Sequence, residues 1–446
     1  MKEYDIVVIG GGPAGVQAAI SARNSNPVKS IALIRKEKIA LIPCGIPYIM
    51  HRLGSIDDDI LPDALLQKNN TNIIMGEVVG KHEKILELKD GLQIKFDKLV
   101  LAAGSIPVKP AIPGIDSDNI YVLSKDYEYL KTMREDIKAS RSVVIVGGGY
   151  VGVELADELV KSKLNVTFIE KLPRLLPTSV DPEFSDVLKG ELDKQGVIVL
   201  TGVGVEGFID NGKSVKVKLE NGSVEEADKV IISIGFKPDI SLAKVFNIEV
   251  DNKYGVIVDE YMKTSDDDIF AVGDCAAKRS CFAGDYRQIM LASTAMSQGR
   301  LAGSNLFSIN IIKAFPGTLG SFATKVGNVA LGVTGITETR AKKMKLEYVS
   351  GTTETVDRHP GKLTNASKMK VKLIFSKYSH VLLGAQVLGG DSVGECVNML
   401  SVMIQKKMTD MEIDTLQIGT HPLLTPSPLA YGVINATVDS IMKWYR

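Results

Sequence analysis

The chain has 446 residues, 45% hydrophobic and 24% charged, with fifty-three basic side chains matched by fifty-three acidic ones. That length exceeds one core and predicts two or three domains, while a formal net charge of zero gives no pull toward nucleic acid or an anionic membrane surface. No run of eighteen apolar residues is present, and Met1-Lys2-Glu3-Tyr4 leads into an apolar stretch at Ile6 without room for a signal peptide, so a cytoplasmic protein with no membrane or nucleic-acid partner is expected.

Asp5 to Ile9 reads as a buried parallel strand feeding the turn Gly10-x-Gly12-x-x-Gly15. A helix is expected over Val16 to Asn24 and a second strand over Ser30 to Ile34, completing a βαβ unit. The order then returns: strand Ser142 to Val146, turn Gly147-x-Gly149-x-x-Gly152, helix Val153 to Ser162, and strand Asn165 to Ile169 with Glu170 at its end. One supersecondary unit is therefore present twice. Lys98 to Ser105, Lys229 to Gly235 and Ile269 to Val272 are further strands ending in small residues, the last followed by Gly273-Asp274. Past Phe315 the pattern is strand-rich through Leu388, and helices are expected over Ser392 to Lys407 and Leu429 to Trp444. The fold class is α/β, with two Rossmann-like dinucleotide-binding domains and a separate C-terminal α+β domain. The expected division is 1–112 with 250–314, then 113–249, then 315–446.

Each glycine has a task. The first makes the tight turn, the second lets the backbone approach a pyrophosphate, and the third lets helix and strand pack closely. The helix N-terminus turns free N–H groups and its positive dipole end toward the phosphates. Pro13, Ala14, Tyr150 and Val151 join the glycines as candidate nucleotide contacts. Glu170 sits where a carboxylate accepts hydrogen bonds from an adenosine ribose and repels a 2′-phosphate. NADH is thereby favoured over NADPH, with Lys171 and Arg174 weighing the other way. The first unit has Arg35 at the equivalent strand end. There Glu37 takes the ribose, or the ribose is held in another way.

The cysteines are Cys44, Cys275, Cys281 and Cys396, with no C-x-x-C pair, and the five histidines lack zinc-ligand spacing. No metal site is expected, and any thiol chemistry starts from a single cysteine.

Gly10 to Gly15, Pro43-Cys44-Gly45-Ile46-Pro47-Tyr48, Ala102-Ala103-Gly104-Ser105, Gly147 to Gly152 and Gly273-Asp274 occur in an order that resembles the pyridine nucleotide–disulfide oxidoreductases. The chain looks like the single-cysteine branch, which holds NADH oxidases, NADH peroxidases, coenzyme A-disulfide reductases and persulfide or polysulfide reductases. The resemblance spans essentially the whole chain. It implies FAD in the first Rossmann unit, a nicotinamide dinucleotide in the inserted second unit, and a C-terminal domain that forms a homodimer. It also implies that Pro43, Ala103, Gly104, Gly235 and Gly273 line the cofactors and that Asp274 bonds the ribityl chain or adjoining pyrophosphate of FAD. Cys44 would then face the flavin as the redox thiol, with a helix N-terminus or nearby cation favouring its thiolate.

The departures from the family narrow the activity. Peroxidases of the branch carry a histidine in the first glycine turn, where Pro13 stands here. The disulfide reductases carry a tyrosine pair from the partner subunit, where this chain reads Asp357-Arg358-His359-Pro360-Gly361 and His421-Pro422-Leu423-Leu424-Thr425-Pro426. His359 and His421 are therefore candidate proton-handling residues above Cys44, and Arg23 is a candidate contact for coenzyme A phosphates. The expected function is an FAD-dependent NAD(P)H oxidoreductase reducing a small disulfide, persulfide or polysulfide through Cys44, with coenzyme A as a candidate ligand. The alternatives are an NADH oxidase reducing dioxygen at the flavin and a reductase of a small electron-carrier protein.

Overall fold

Ile6, Val7 and Val8 are fully buried in the strand Lys2–Ile9, and Ile31 to Ile34 are fully buried in the strand Ile31–Arg35. Continuous apolar runs of this kind belong to parallel strands covered on both faces. The computed structural model describes residues 1–444 and divides into two units. The first comprises Met1–Pro110, Val122–Ala139 and Gly235–Thr318. The second comprises Ala111–Tyr121, Ser140–Ile234 and the chain from Leu319 onward.

In the first unit one sheet runs in the order Asn72–Met75, Ile31–Arg35, Lys2–Ile9, Gln93–Leu101, Ile85–Leu88, Val78–His82, and Ile269–Ala271 also pairs with Gln93–Leu101. The helix Pro13–Ser25 packs on the helix Ala292–Ser304. Their backbones approach closely, since a Cβ at Gly299 would come within 2.5 Å of the Ala14 carbonyl oxygen. Small residues at this seam (Ala14, Ala18, Ala22) make that approach possible.

In the second unit the strands Ile198–Thr201, Asn165–Glu170, Ser142–Val146, Lys229–Ile232 and Ile120–Val122 form one sheet in that order. A second, antiparallel sheet runs Phe322–Val326, Val329–Gly335, Leu382–Gly389, Lys368–Ser376, Tyr348–Val356, with the helices Val393–Gln405 and Gly432–Trp444 packed against it. None of the described helices is long and apolar enough to cross a membrane.

Two expectations shift by one turn of helix. The helices after the glycine turns begin at Pro13 and Tyr150, three residues before the expected Val16 and Val153. The third glycine of each turn is thus already helical. It packs against the carbonyl of the first glycine, where any Cβ would overlap. Pro13 suits that first turn because it needs no N–H partner and its φ is already helical. The last helix starts at Gly432 rather than Leu429, after a single 3-10 turn at Pro428–Ala430.

Candidate active site

The two glycine turns have matching geometry. Gly10 and Gly147 have φ of +116° and +114°, a region that L side chains rarely adopt, and a Cβ at either would overlap the carbonyl of Ala102 or Ser233. Gly12 and Gly149 differ: their backbones are extended and nothing lies within 4 Å of where a Cβ would stand. Both are helix N-caps without a side-chain capping bond, so the amides of Ala14 and Gly15, and of Tyr150, Val151 and Gly152, are the donors at these ends. Crowded first and third glycines around an open second one form the cradle that a dinucleotide pyrophosphate requires.

The strand ends beneath the cradles carry opposite charges. Glu170 is 9% exposed and accepts from the Gly148 amide at 2.5 Å and the Leu172 amide at 2.6 Å. Lys171 and Arg174 are engaged elsewhere, with Glu220 at 2.7 Å and Asp186 at 3.0 Å. In the first unit Arg35 takes the corresponding place, its Cδ 2.7 Å from where a Cβ on Gly11 would sit. Its guanidinium grips Asp63 with two bonds of 2.7 Å, and its Nε is buried without a partner. Glu37 is half-buried, with Lys36 at 3.9 Å. Asp63 escaped the sequence reading, although a buried arginine at a strand end calls for a counter-charge.

Asp274 accepts from Ser105 Oγ at 2.8 Å and Lys125 Nζ at 3.1 Å. Burial works to raise its pKa, but the charges of Lys125 and Lys278 and the bonds from Ser105 and Lys125 outweigh that and hold it below the usual range. Lys278, itself buried, donates to the Gly273 and Ala276 carbonyls at 2.7 and 2.9 Å, and burial lowers its pKa. Gly104 and Gly235 lie at opposite ends of an antiparallel ribbon, Ser105–Pro107 with Phe236–Pro238, where their carbonyls accept from the Asp239 and Val108 amides. Sequence reasoning found Asp274, Gly104 and Gly235 but neither lysine.

Cys44 is exposed in a turn that enters the 3-10 helix Ile46–Met50. Arg134, on the helix Tyr127–Lys138, ties down the chain beyond it, donating to the carbonyls of Ile49 and Gly54 at 2.6 Å each and of Leu53 at 3.3 Å. The remaining thiols are different. Burial raises the pKa of all three, to about 12 for Cys281 and Cys396. Their protonated, sheltered state suits packing rather than nucleophilic chemistry.

His359 and His421 lie together in the second unit. His359 Nδ1 donates to the Thr425 carbonyl at 3.0 Å and its amide to the Pro422 carbonyl at 3.1 Å, while His421 Nδ1 accepts from the Leu423 amide at 3.2 Å. Tyr150 packs its ring on Phe322 at 4.6 Å between centroids. One helical turn on, Glu154 accepts from Thr324 Oγ1 at 2.8 Å, and burial lifts its pKa to about 7. Arg23 turns away from ligand duty: it donates to the main-chain carbonyls of Asn69, Pro27, Lys29 and Asn70 at 2.6–3.0 Å. Its role as a coenzyme A contact is therefore corrected to a chain clamp.

Asp181, Glu183 and Glu338 bring carboxylate oxygens within 4.8 Å of one another. The cation among them is the Lys372 ammonium, at 3.0, 2.7 and 2.5 Å from the three. This is an ion-pair cluster joining two helices to the antiparallel sheet.

A family model described as pyridine nucleotide-disulphide oxidoreductase matches residues 4–299, and that of its dimerisation domain matches 321–429. An NADH oxidase of Methanocaldococcus jannaschii is 31% identical over 98% of both chains. The NAD(P)H coenzyme A polysulfide/persulfide reductase of Pyrococcus horikoshii is 29% identical over 94% of this chain and 95% of its own. An NAD-dependent persulfide reductase from A. fulgidus superposes with a TM-score of 0.91 at 28% identity, over 98% of this chain and 83% of that one.

Proposed function

The chain belongs to the pyridine nucleotide-disulphide oxidoreductase family, and from that premise we propose that it carries electrons from NADH through FAD and Cys44 to a small disulfide, persulfide or polysulfide. The observation that carries this reading is the contrast among the thiols. Cys44 alone is exposed, while burial holds the other three protonated.

The residues divide the work. The cradle at Gly10, Gly12, Pro13, Ala14 and Gly15 holds the FAD pyrophosphate by amide N–H groups, and the ribose falls to a carboxylate at the Arg35 strand end, Glu37 or Asp63. Asp63 is the better oriented of the two, because Arg35 fixes it. Ala103, Gly104, Pro43, Gly273 and Asp274 line the same nucleotide. Gly147, Gly149, Tyr150, Val151, Gly152 and Gly235 take the nicotinamide dinucleotide, and Glu170 takes its adenosine ribose. The Glu170 carboxylate repels a 2′-phosphate, and its two basic neighbours are spent on other acids. NADH is accordingly preferred and NADPH second.

At Cys44 the thiolate attacks one sulfur of the acceptor. A bond from Cys44 Sγ to that sulfur forms, the original sulfur–sulfur bond breaks, and the other sulfur leaves as a thiolate or hydrosulfide that takes up a proton. With FAD bound in the first cradle, two electrons originating from NADH would cleave the new bond, returning Cys44 to its thiolate and releasing the second sulfur, protonated, as a thiol or hydrogen sulfide. His359 or His421, from the partner chain of a homodimer, is the proton source proposed for the leaving sulfur. By role, 1–112 with 250–314 serve FAD, 113–249 serve the nicotinamide and 315–446 the dimer. A coenzyme A persulfide is a fitting substrate, since a relative is named for that chemistry.

Dioxygen reduction at the flavin is the second reading, favoured by the relative named NADH oxidase. Cys44→Ser separates the two. It should abolish turnover of coenzyme A disulfide and polysulfide while anaerobic NADH still bleaches the flavin. Undiminished turnover of these acceptors by the variant would refute the thiol route.

A further inference from the structure

Asp59 belongs to no motif, yet it lies directly against the Cys44 turn. The chain at 59–61 runs antiparallel to 40–42, through the bonds from the Ile42 amide to the Asp59 carbonyl and from the Leu61 amide to the Ala40 carbonyl, each 2.8 Å, and the bridge between Leu41 and Ile60. Its side chain points inward and is 2% exposed, whereas its neighbours Asp57 and Asp58 are outside. One oxygen, Oδ1, presses on Gly45, where a Cβ would overlap it. Gly45 has φ −84° and ψ −18°, which any residue adopts, so room for this carboxyl is the reason the position is glycine. The other oxygen, Oδ2, is buried with no hydrogen-bond partner. A lone buried carboxylate without a cation is strongly disfavoured and the neutral acid is preferred.

The titratable and charged groups on the neighbouring segments include Lys36, Glu37 and Lys38 ahead of the paired strand, Cys44, His51 and Arg52 on the cysteine segment, Asp57, Asp58 and Asp63 around its own turn, and Tyr127 and Arg134 on the helix Tyr127–Lys138. Asp57 accepts from the Tyr127 hydroxyl at 2.6 Å and Asp58 from the Ser55 amide at 2.9 Å. Arg134 points its guanidinium at the carbonyls of Ile49, Leu53 and Gly54. Burial raises the Asp59 pKa to about 6, so its proton is exchangeable near neutrality.

We propose that Asp59 is a positioning residue coupled to Cys44: the carboxyl braced on Gly45, one residue along the chain from the thiol, disfavours the Cys44 thiolate once it ionises, so the thiolate forms more readily while Asp59 keeps its proton. The physical basis is that two like charges a residue apart disfavour each other, here with the carboxyl buried and the thiol exposed, and the coupling acts equally on both partners. The inference rests on Cys44 being the reactive thiol, but its test needs no acceptor turnover, so the two can fail separately.

The test uses the flavin-loaded protein and the rate of Cys44 alkylation by iodoacetamide from pH 4.5 to 9, read by mass spectrometry. Wild type should show a lower inflection near pH 6 beside that of the thiol. Asp59→Asn should lack it and alkylate about tenfold faster between pH 6 and the thiol pKa, the equivalent of one pKa unit, with the two proteins converging below pH 6. Superimposable profiles overturn the proposal. If Asp59→Asn fails to fold, the reciprocal measurement decides. With 13C-labelled aspartate, the Asp59 carboxyl should titrate at higher pH after Cys44 is carboxymethylated, which fixes a negative charge there, than after it is carbamidomethylated, and an identical midpoint overturns the coupling.

Discussion

Gly149→Ala should leave the fold intact and disable the second cradle. Gly149 has φ −74° and ψ 179°, and nothing lies within 4 Å of the added methyl. Lower entropy of the unfolded chain favours alanine by about 0.4–1 kcal/mol. Alanine is also a poorer N-cap than glycine by roughly 0.5–1 kcal/mol. The two offset, and the net change should stay within about 0.5 kcal/mol. The methyl, however, stands where a pyrophosphate must approach, and hydrogen bonds to a charged group contribute about 1.5–3 kcal/mol each. Losing one weakens NADH about 10- to 100-fold, at 1.4 kcal/mol per tenfold. Gly147→Ala is the contrasting control: φ is +114° and the methyl overlaps the Ser233 carbonyl, so it should destabilise by about 2 kcal/mol or more. The assay combines thermal melting, flavin content per chain and anaerobic flavin bleaching against NADH concentration. Gly149→Ala should melt like wild type, keep its FAD and need far more NADH. Wild-type NADH dependence, or a clear fall in melting temperature, would refute the reasoning.

Asp63→Asn should weaken FAD binding to the flavin-stripped protein and erase most of the discrimination between FAD and its 2′-deoxyadenosine analogue, with Glu37→Gln leaving both unchanged. The reverse pattern would make Glu37 the ribose acceptor. Glu154→Gln should gain on wild type as pH rises. Burial raises the Glu154 pKa from 4.5 to about 7, so its stabilising contribution is complete below 4.5 and lost through 7. The variant's melting temperature should match wild type near pH 4.5 and exceed it above pH 7, by at most about 3 kcal/mol in stability; a gap independent of pH would contradict this. Lys372→Met should destabilise by about 3–5 kcal/mol at neutral pH, because Asp181, 1% exposed, loses its cation. Despite the burial that opposes it, bonding chiefly to Lys372 holds Glu338 near a pKa of about 2, so that penalty should shrink as acid carries the protein from pH 4.5 toward 2.

The duplicated βαβ unit with its two glycine turns and the strand-rich C-terminal region were legible in the chain alone. These depend on local requirements: a positive φ at Gly10 and Gly147 and buried runs such as Ile6 to Ile9 are properties of a few consecutive residues. Helix starts slipped by three residues, since the glycine spacing marks the turn but not that Gly15 and Gly152 already lie inside the helix.

What the tertiary structure decided was charge pairing. Arg35 with Asp63, Lys125 with Asp274, Lys372 with its three acids and Asp59 beneath Gly45 join residues remote in the chain. It also assigned Arg23 to main-chain carbonyls instead of a ligand. A charged residue in a sequence carries the same signal whether it ends in water, against a counter-ion or buried alone. Only the fold sets its distance to partners and its removal from solvent, and those two quantities determine its protonation and its chemistry.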